Sequence, residues 1–566
     1  MDLKLLYKDI KECIARRENC LSDEERKIVA KELDLFGRFC SNTSYSILEI
    51  QQLLAAAAPP LYDGLNLCVT RLHEVAGLGS LPSCQSSMKI IEALYEVELL
   101  SASGTVDNLF VGRGHIAAAF FALRYLKGGF PLSFLLSLYD VIPPVISKQW
   151  GFSNTMRHSL GEGLPACVGK ALVSRDTNQN QHFFCFVGDG ELQEGISFEA
   201  IRMAYEFNLG SFTVIVDGNQ MGITKLAKPL NIDFLKAYFD EVHVVENDKN
   251  AIKGYLNRCK RSSKREVIVC KTEKHCHTYK NDSRLTTCTA VGKILGDLQK
   301  TCNMHVFSPD LSSRFGLHER VSFVNTGLSE QATVALTIEL PPEDLKVVLT
   351  DDKFLLNSLD CLQSAFASNQ NIIVIAARRN AVWGGPNNTP NVFSTMEGAH
   401  CFELCNPKHL ESVIAQCGGS NAFILLYDEV LDYVDRIESN YEQLEDNIFF
   451  LKKSRELLFI STESFAVKVN SLSNHLGASH LRFLSRRPVL SSELVNKIRS
   501  FETVIVYEQN LAFGGLGQFL RSEVLRDLKI FSLREYCQPA VKETQEAREQ
   551  INTQKLIELT KRLMDV

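Results

Sequence analysis

Two short segments of this chain carry residue types that could hold a metal-bound diphosphate. An apolar run, Phe183-Phe184-Cys185-Phe186-Val187, passes directly into Gly188-Asp189-Gly190 and then Glu191-Leu192-Gln193-Glu194-Gly195. A second run, Phe212-Thr213-Val214-Ile215-Val216, ends in Asp217-Gly218-Asn219-Gln220-Met221, with Asp217 placed 28 residues after Asp189. Each run is rich in aromatic or β-branched residues and apolar on both faces, the pattern of a buried parallel strand. The helical stretch 196–209 between them predicts a strand–helix–strand unit. The two loops then emerge side by side at the carboxyl edge of the sheet, where open α/β sheets bind ligands. A carboxylate from Asp189, the amide oxygen of Asn219 and a main-chain carbonyl make a hard-oxygen set for a divalent cation, which also takes diphosphate oxygens. Gly188 and Gly190 let the backbone approach the phosphates closely.

The elements that must position these loops are of α/β type. Further strand-like runs fall at 267–270, 321–324, 346–349, 372–376, 422–426, 458–461 and 503–506, separated by longer amphipathic stretches. Residues 1–70 read as a helical N-terminal extension rich in Lys, Glu and Leu, with Ser22 or Asp23 as a helix N-cap. Polar stretches at 274–287 and 430–448, the second read as helical, mark boundaries. The predicted organisation is therefore the extension, then three consecutive α/β domains with mostly parallel sheets, over 71–280, 281–435 and 436–566.

Composition narrows the function. The 566 residues carry 61 basic and 67 acidic side chains, a net charge of −6, which argues against a dedicated nucleic-acid binder. No apolar run approaches a membrane span, and residues 1–17 alternate charged and apolar side chains rather than forming a signal peptide. The 17 cysteines are scattered without a C-x-x-C pair, as expected of reduced thiols in a cytoplasmic protein.

The G-D-G and D-x-N pair, and above all the words Gly188-Asp189-Gly190-Glu191-Leu192-Gln193-Glu194-Gly195, resemble the transketolase family, especially its split-chain versions. Other pieces follow in order. Val111-Gly112-Arg113-Gly114-His115 resembles the family's N-G-H segment, and Ser159-Leu160-Gly161-Glu162-Gly163 its S-L-G-Q-G segment. Val324-Asn325-Thr326-Gly327-Leu328-Ser329-Glu330-Gln331 resembles the pyrimidine-domain motif, and Val504-Ile505-Val506-Tyr507-Glu508-Gln509 with Phe513-Gly514-Gly515 resembles the C-terminal domain. The resemblance covers residues 70–525.

It implies thiamine diphosphate as cofactor with Mg²⁺ or Ca²⁺, held by Asp189, Asn219 and Met221. Gly188, Gly190, Leu160, Gly161 and His158 would lie by the diphosphate. Glu330 would share a proton with the aminopyrimidine N1′, Phe354 would stack on that ring, and His115 would face the thiazolium and substrate. Glu194 and Glu199 align with acids that link the two sites of a homodimer. The implied reaction breaks a C–C bond of a ketose or 2-oxo acid donor and transfers the fragment to an aldehyde or ketone acceptor. The resemblance weakens at substrate-contacting positions. Histidines expected in Gly79-Ser80-Leu81-Pro82-Ser83, between Tyr139 and Ser159, and near Asn388 are missing, which implies altered specificity. His158, His275 and His277 are candidate replacements, and the Lys274-His275-Cys276-His277 run is a poor zinc site. A decarboxylating enzyme resembling 1-deoxyxylulose-5-phosphate synthase and a non-catalytic scaffold are the competing readings.

Overall fold

The computed structural model describes residues 2–535 apart from 41–44, 78, 144–145, 153–159, 178–180, 227, 275–284, 318–320, 369–370, 379–388, 418, 430, 455, 510–514 and 522–529. It divides into two compact units, one mainly Met1–Tyr279 and the other mainly Lys280–Ala381 with Gly385–Gln538. The expected α/β class holds: among the described residues three large sheets of five, six and six strands, parallel apart from one hairpin in the third, and a two-stranded antiparallel pair accompany a helical N-terminal region. No described helix is long and apolar enough to cross a membrane.

The first unit's sheet has the spatial order Leu109–Val111, Phe183–Gly188, Phe212–Asp217, Arg265–Lys271 and Glu241–Glu246, all parallel. The two central runs are buried along their whole length, and each fully buried Val, Ile or Phe contributes roughly 1.5–3 kcal/mol to stability. Gly188 stands in register with Asp217, and Asp217 with Cys270, so their loops leave one edge together. The N-terminal helices are not an appendage. Leu6, Ile10 and Phe36 share one core with Phe120, Phe186 and Ile215. Ser22 is the N-cap of the Asp23–Phe39 helix, in a capping box with Glu25.

The second unit holds the other two sheets. One has the order Ala399–Leu404, Asn421–Tyr427, Ile372–Arg378, Leu345–Asp351, Met304–Ser308 and Val324–Asn325. The strand expected at 321–324 is reduced to its last residue and Asn325, because only Val324 and Asn325 reach the end of the Met304–Ser308 strand. The third sheet begins with a departure from expectation. The segment 430–448 is helical only over Leu431–Glu438. Strands Glu442–Glu445 and Ile448–Leu451 follow, joined by a turn with Asn447 at φ 64°. The fully buried Ile448–Leu451 run pairs with Ser479–Phe483, so tertiary burial ends the local helical pattern.

Candidate cofactor-binding site

Four loops meet at the carboxyl edge of the first sheet, following Val111, Gly188, Asp217 and Lys271. Asp189 is buried, at 2% exposure, and its carboxylate accepts hydrogen bonds from the main-chain N–H of Gly190 (2.8 Å) and of Gln220 on the neighbouring loop. Burial pushes its carboxyl up, against the pull of the Gln220 N–H and Arg113. Asn219 is buried beside it. Its Nδ2 donates to Ser86 Oγ (3.3 Å), which leaves Oδ1 to accept from the Met221 N–H (3.0 Å). Met221 is half-buried and bridges to Lys225.

A network that the motif words do not announce fixes this arrangement from below. Asp217, fully buried, accepts from Ser86 Oγ (2.7 Å), Ser87 Oγ (2.7 Å), Thr272 Oγ1 and Arg113. Arg113 also donates to Ser87 Oγ (2.6 Å). The chain Asn219–Ser86–Asp217–Arg113 thus sets which way the Asn219 amide points. Arg113 and Asp217 were visible in the sequence as motif letters without a role. Ser86 and Ser87, on the Leu81–Glu96 helix, carried no signal, since only folding brings them to Asp217 from 131 and 130 residues away.

Glu191, a motif letter to which the sequence assigned no role, is a second centre of the site. It is buried, accepting from the N–H groups of Gly161 (3.0 Å) and Gly188 (3.3 Å). A Cβ on Gly112 would stand 2.1 Å from its Oε1. Three separate motif segments therefore close on one carboxylate, which burial pushes up to about 7. Gly161 has φ +87°, and a Cβ there would lie 2.6 Å from Ile196 and 3.0 Å from Glu194, so this loop requires glycine. Leu160 lies half-buried in the turn before it, and Gly190 is buried.

His115 occupies a 3₁₀ turn after the Leu109–Val111 strand. Burial, with the positive charges of Arg113 and Lys274, holds its imidazole well below the usual histidine range, so the ring is neutral. Glu194 is half-buried at the start of the Gly195–Glu206 helix, and Glu199 is exposed on that helix. His158, His275, His277, Asn388, Phe513 and Gly514 lie outside the described residues. At the segment lacking a histidine, Gly79 packs at φ +112° beneath Tyr139 and His73. His73 contacts its own helix through Val69 O (2.8 Å).

Glu330 and Phe354 belong to the second unit. Glu330 opens the Glu330–Ile338 helix, 8% exposed, and burial with the nearby Asp351 and Asp310 charges pushes its carboxyl up to about 7. Phe354 lies in the 3₁₀ turn Phe354–Ser358, which packs on that helix. Its ring is half-buried against the core around Leu349 and Ile375.

Residues 107–304 match the family model described as transketolase, thiamine diphosphate binding domain. Residues 107–304 are therefore similar to the diphosphate-binding domain of transketolases. A transketolase of Pongo abelii is 29% identical over 168 residues, covering 28% of this chain and 27% of the relative. One chain of the split apulose-4-phosphate transketolase of Actinobacillus succinogenes is 29% identical over 123 residues, covering 20% of this chain and 44% of the relative. The chain thus matches between a quarter and a half of these transketolases' own length. A Campylobacter jejuni transketolase structure superposes at TM-score 0.41 and 16% identity, covering 88% of this chain and 98% of that one.

Proposed function

We propose that the chain is a thiamine diphosphate- and divalent-cation-dependent transferase that cleaves a C–C bond of a ketose or 2-oxo acid and passes the fragment to an aldehyde or ketone acceptor. The observation that carries this reading is the pairing of buried Asp189 with an Asn219 whose amide is oriented from below, in a domain matched to the diphosphate-binding model. The residues suit the cofactor. Asp189 is a buried acid whose charged form burial disfavours, so a cation there relieves a real cost. Gly161 and Gly188 keep side chains out of this edge, where a Cβ would meet Ile196 and Arg113.

In this reading Asp189, Asn219 Oδ1 and the Met221 carbonyl hold Mg²⁺, and Leu160, Gly161, Gly188, Gly190 and His158 surround the diphosphate. The bound cofactor supplies the electron sink for carbanion chemistry that no side chain offers. Glu330, with its carboxyl near 7, holds a proton for the aminopyrimidine nitrogen at neutral pH, while Phe354 packs the ring. His115, kept neutral, can take or return a proton at the substrate oxygen. Residues 71–280, 281–435 and 436–566 act as diphosphate, pyrimidine and C-terminal domains. The diphosphate edge of one copy pairs with the pyrimidine edge of its partner in a homodimer. The exposed Phe198 and Tyr205, which share one side of the helix that begins beside Glu194 and adjoin Phe234 and Tyr238, support a covered face there.

Thermal unfolding with thiamine diphosphate and Mg²⁺ tests this. At about 100 times its dissociation constant the cofactor stabilises by about 2.7 kcal/mol. The expected outcome is a clear upward shift in the intact chain and none in Asp189→Ala. No shift in the intact chain would favour the scaffold reading instead.

A further inference from the structure

The other end of the first sheet carries a second convergence of chemistry. His243 lies on the Glu241–Glu246 strand, Glu266 near the start of Arg265–Lys271, and Cys259 at the end of the Lys249–Cys259 helix. A single carboxylate oxygen, Glu266 Oε2, lies 2.7 Å from His243 Nε2 and 3.3 Å from Cys259 Sγ. The imidazole, thiol and carboxylate atoms all fall within 4.8 Å of one another. Zinc bonds of 2.0–2.3 Å in a tetrahedron place ligand atoms roughly 3.3–3.8 Å apart. The three atoms gathered here need shifts of about 1 Å to reach that spacing.

We propose that His243, Cys259 and Glu266 form a zinc-type transition-metal site, with Glu241 as fourth ligand. Glu241 is the direct cross-strand partner of Glu266, and its Oε2 stands 3.4 Å from the same His243 nitrogen. Two carboxylates facing each other across strands repel, and a cation between them relieves that repulsion. Without the ion that role falls to Arg258, whose guanidinium contacts both His243 nitrogens and lies 3.6 Å from Glu266, and to Lys264 on Glu241. Arg258 is half-exposed at a helix end and can withdraw to solvent. Cys259 and Glu266 are buried, and Ser262 supports the Glu266 carboxylate from behind. Binding releases the Cys259 thiol proton to solvent, shifts the proton of neutral His243 from Nε2 to Nδ1, and changes no oxidation state. The site stands four residues along the strand from Cys270, about 13 Å from the diphosphate edge, and does not depend on the proposed function. A similar group, His409, Glu438 and Glu463, already contains the buried Arg482, bound to both oxygens of Glu438 at 2.9 and 3.0 Å, which makes it an ion-pair network.

The test is a Co²⁺ titration of the chelator-stripped full chain, with Mg²⁺ in excess to occupy the oxygen site. The expected result is one equivalent of Co²⁺ with a near-ultraviolet thiolate-to-metal band, displaced by Zn²⁺ and lost in Cys259→Ser. Glu266→Gln should weaken Co²⁺ binding at least tenfold. The absence of the band in the intact chain, or its persistence in Cys259→Ser, would overturn the site. If Cys259→Ser does not fold by far-ultraviolet circular dichroism, His243→Asn decides: a tenfold loss of Co²⁺ affinity supports the site, and unchanged affinity overturns it.

Discussion

Two glutamates with the same titration direction have different tasks. Glu330 and Glu191 are both pushed up to about 7 by burial, but Glu330 opens a helix and Glu191 is clasped by two backbone N–H groups. Glu330→Gln keeps the shape and removes the transferable proton. Turnover should fall at least about 100-fold, the range for loss of a positioned acid–base group, while cofactor binding by thermal shift persists. Normal turnover in that variant would refute the proton assignment. For Glu191, a folded pKa near 7 lies above the ordinary carboxyl value of 4.5. Its contribution favours the fold below about pH 4.5 and is lost as pH rises through about 7. Urea midpoints of the cofactor-free chain should therefore carry a downward slope across that window, and Glu191→Gln should flatten it.

At the scale of elements, the site depends on loops separated in sequence but stacked at one sheet edge. Gly112 leaves the Leu109–Val111 strand where any larger residue would strike Glu191 at 2.1 Å. Gly112→Ala should destabilise the chain by about 1–3 kcal/mol and weaken cofactor binding, read by urea unfolding and thermal shift. The buried parallel strands were legible because their runs are apolar on both faces. Others were not. Glu241–Glu246 is an edge strand in which only Val245 is buried. Ser479–Phe483 buries His480 and Arg482, which local sequence marks as polar. Arg482 is tolerated there because Glu438 pairs with it and the rings of Tyr441 and Phe449 flank it at 4.4 and 4.5 Å.

At the scale of the whole molecule, the proposed homodimer makes a demand on the surface. Phe198 and Tyr205, on one side of their helix, are 43% and 50% exposed beside Phe234 and Tyr238, an apolar cluster of the kind a partner covers. Phe198→Asp, placed on that face, should yield monomers by analytical ultracentrifugation and lose activity with them. An unchanged dimer would remove this face from the interface.

The order of motifs, the α/β class and the pair Asp189 and Asn219 were determined by sequence alone, because strand hydrophobicity and loop glycines are local properties. What faces Asp217 was decided only by tertiary structure. Ser86, Ser87, Arg113 and Thr272 reach it from distant segments, and the same is true of the glycines around Glu191 and of Cys259 beside His243. Such contacts depend on which segments stack at one end of a sheet. A polar residue's neighbours across that stack leave no trace in its own stretch of chain.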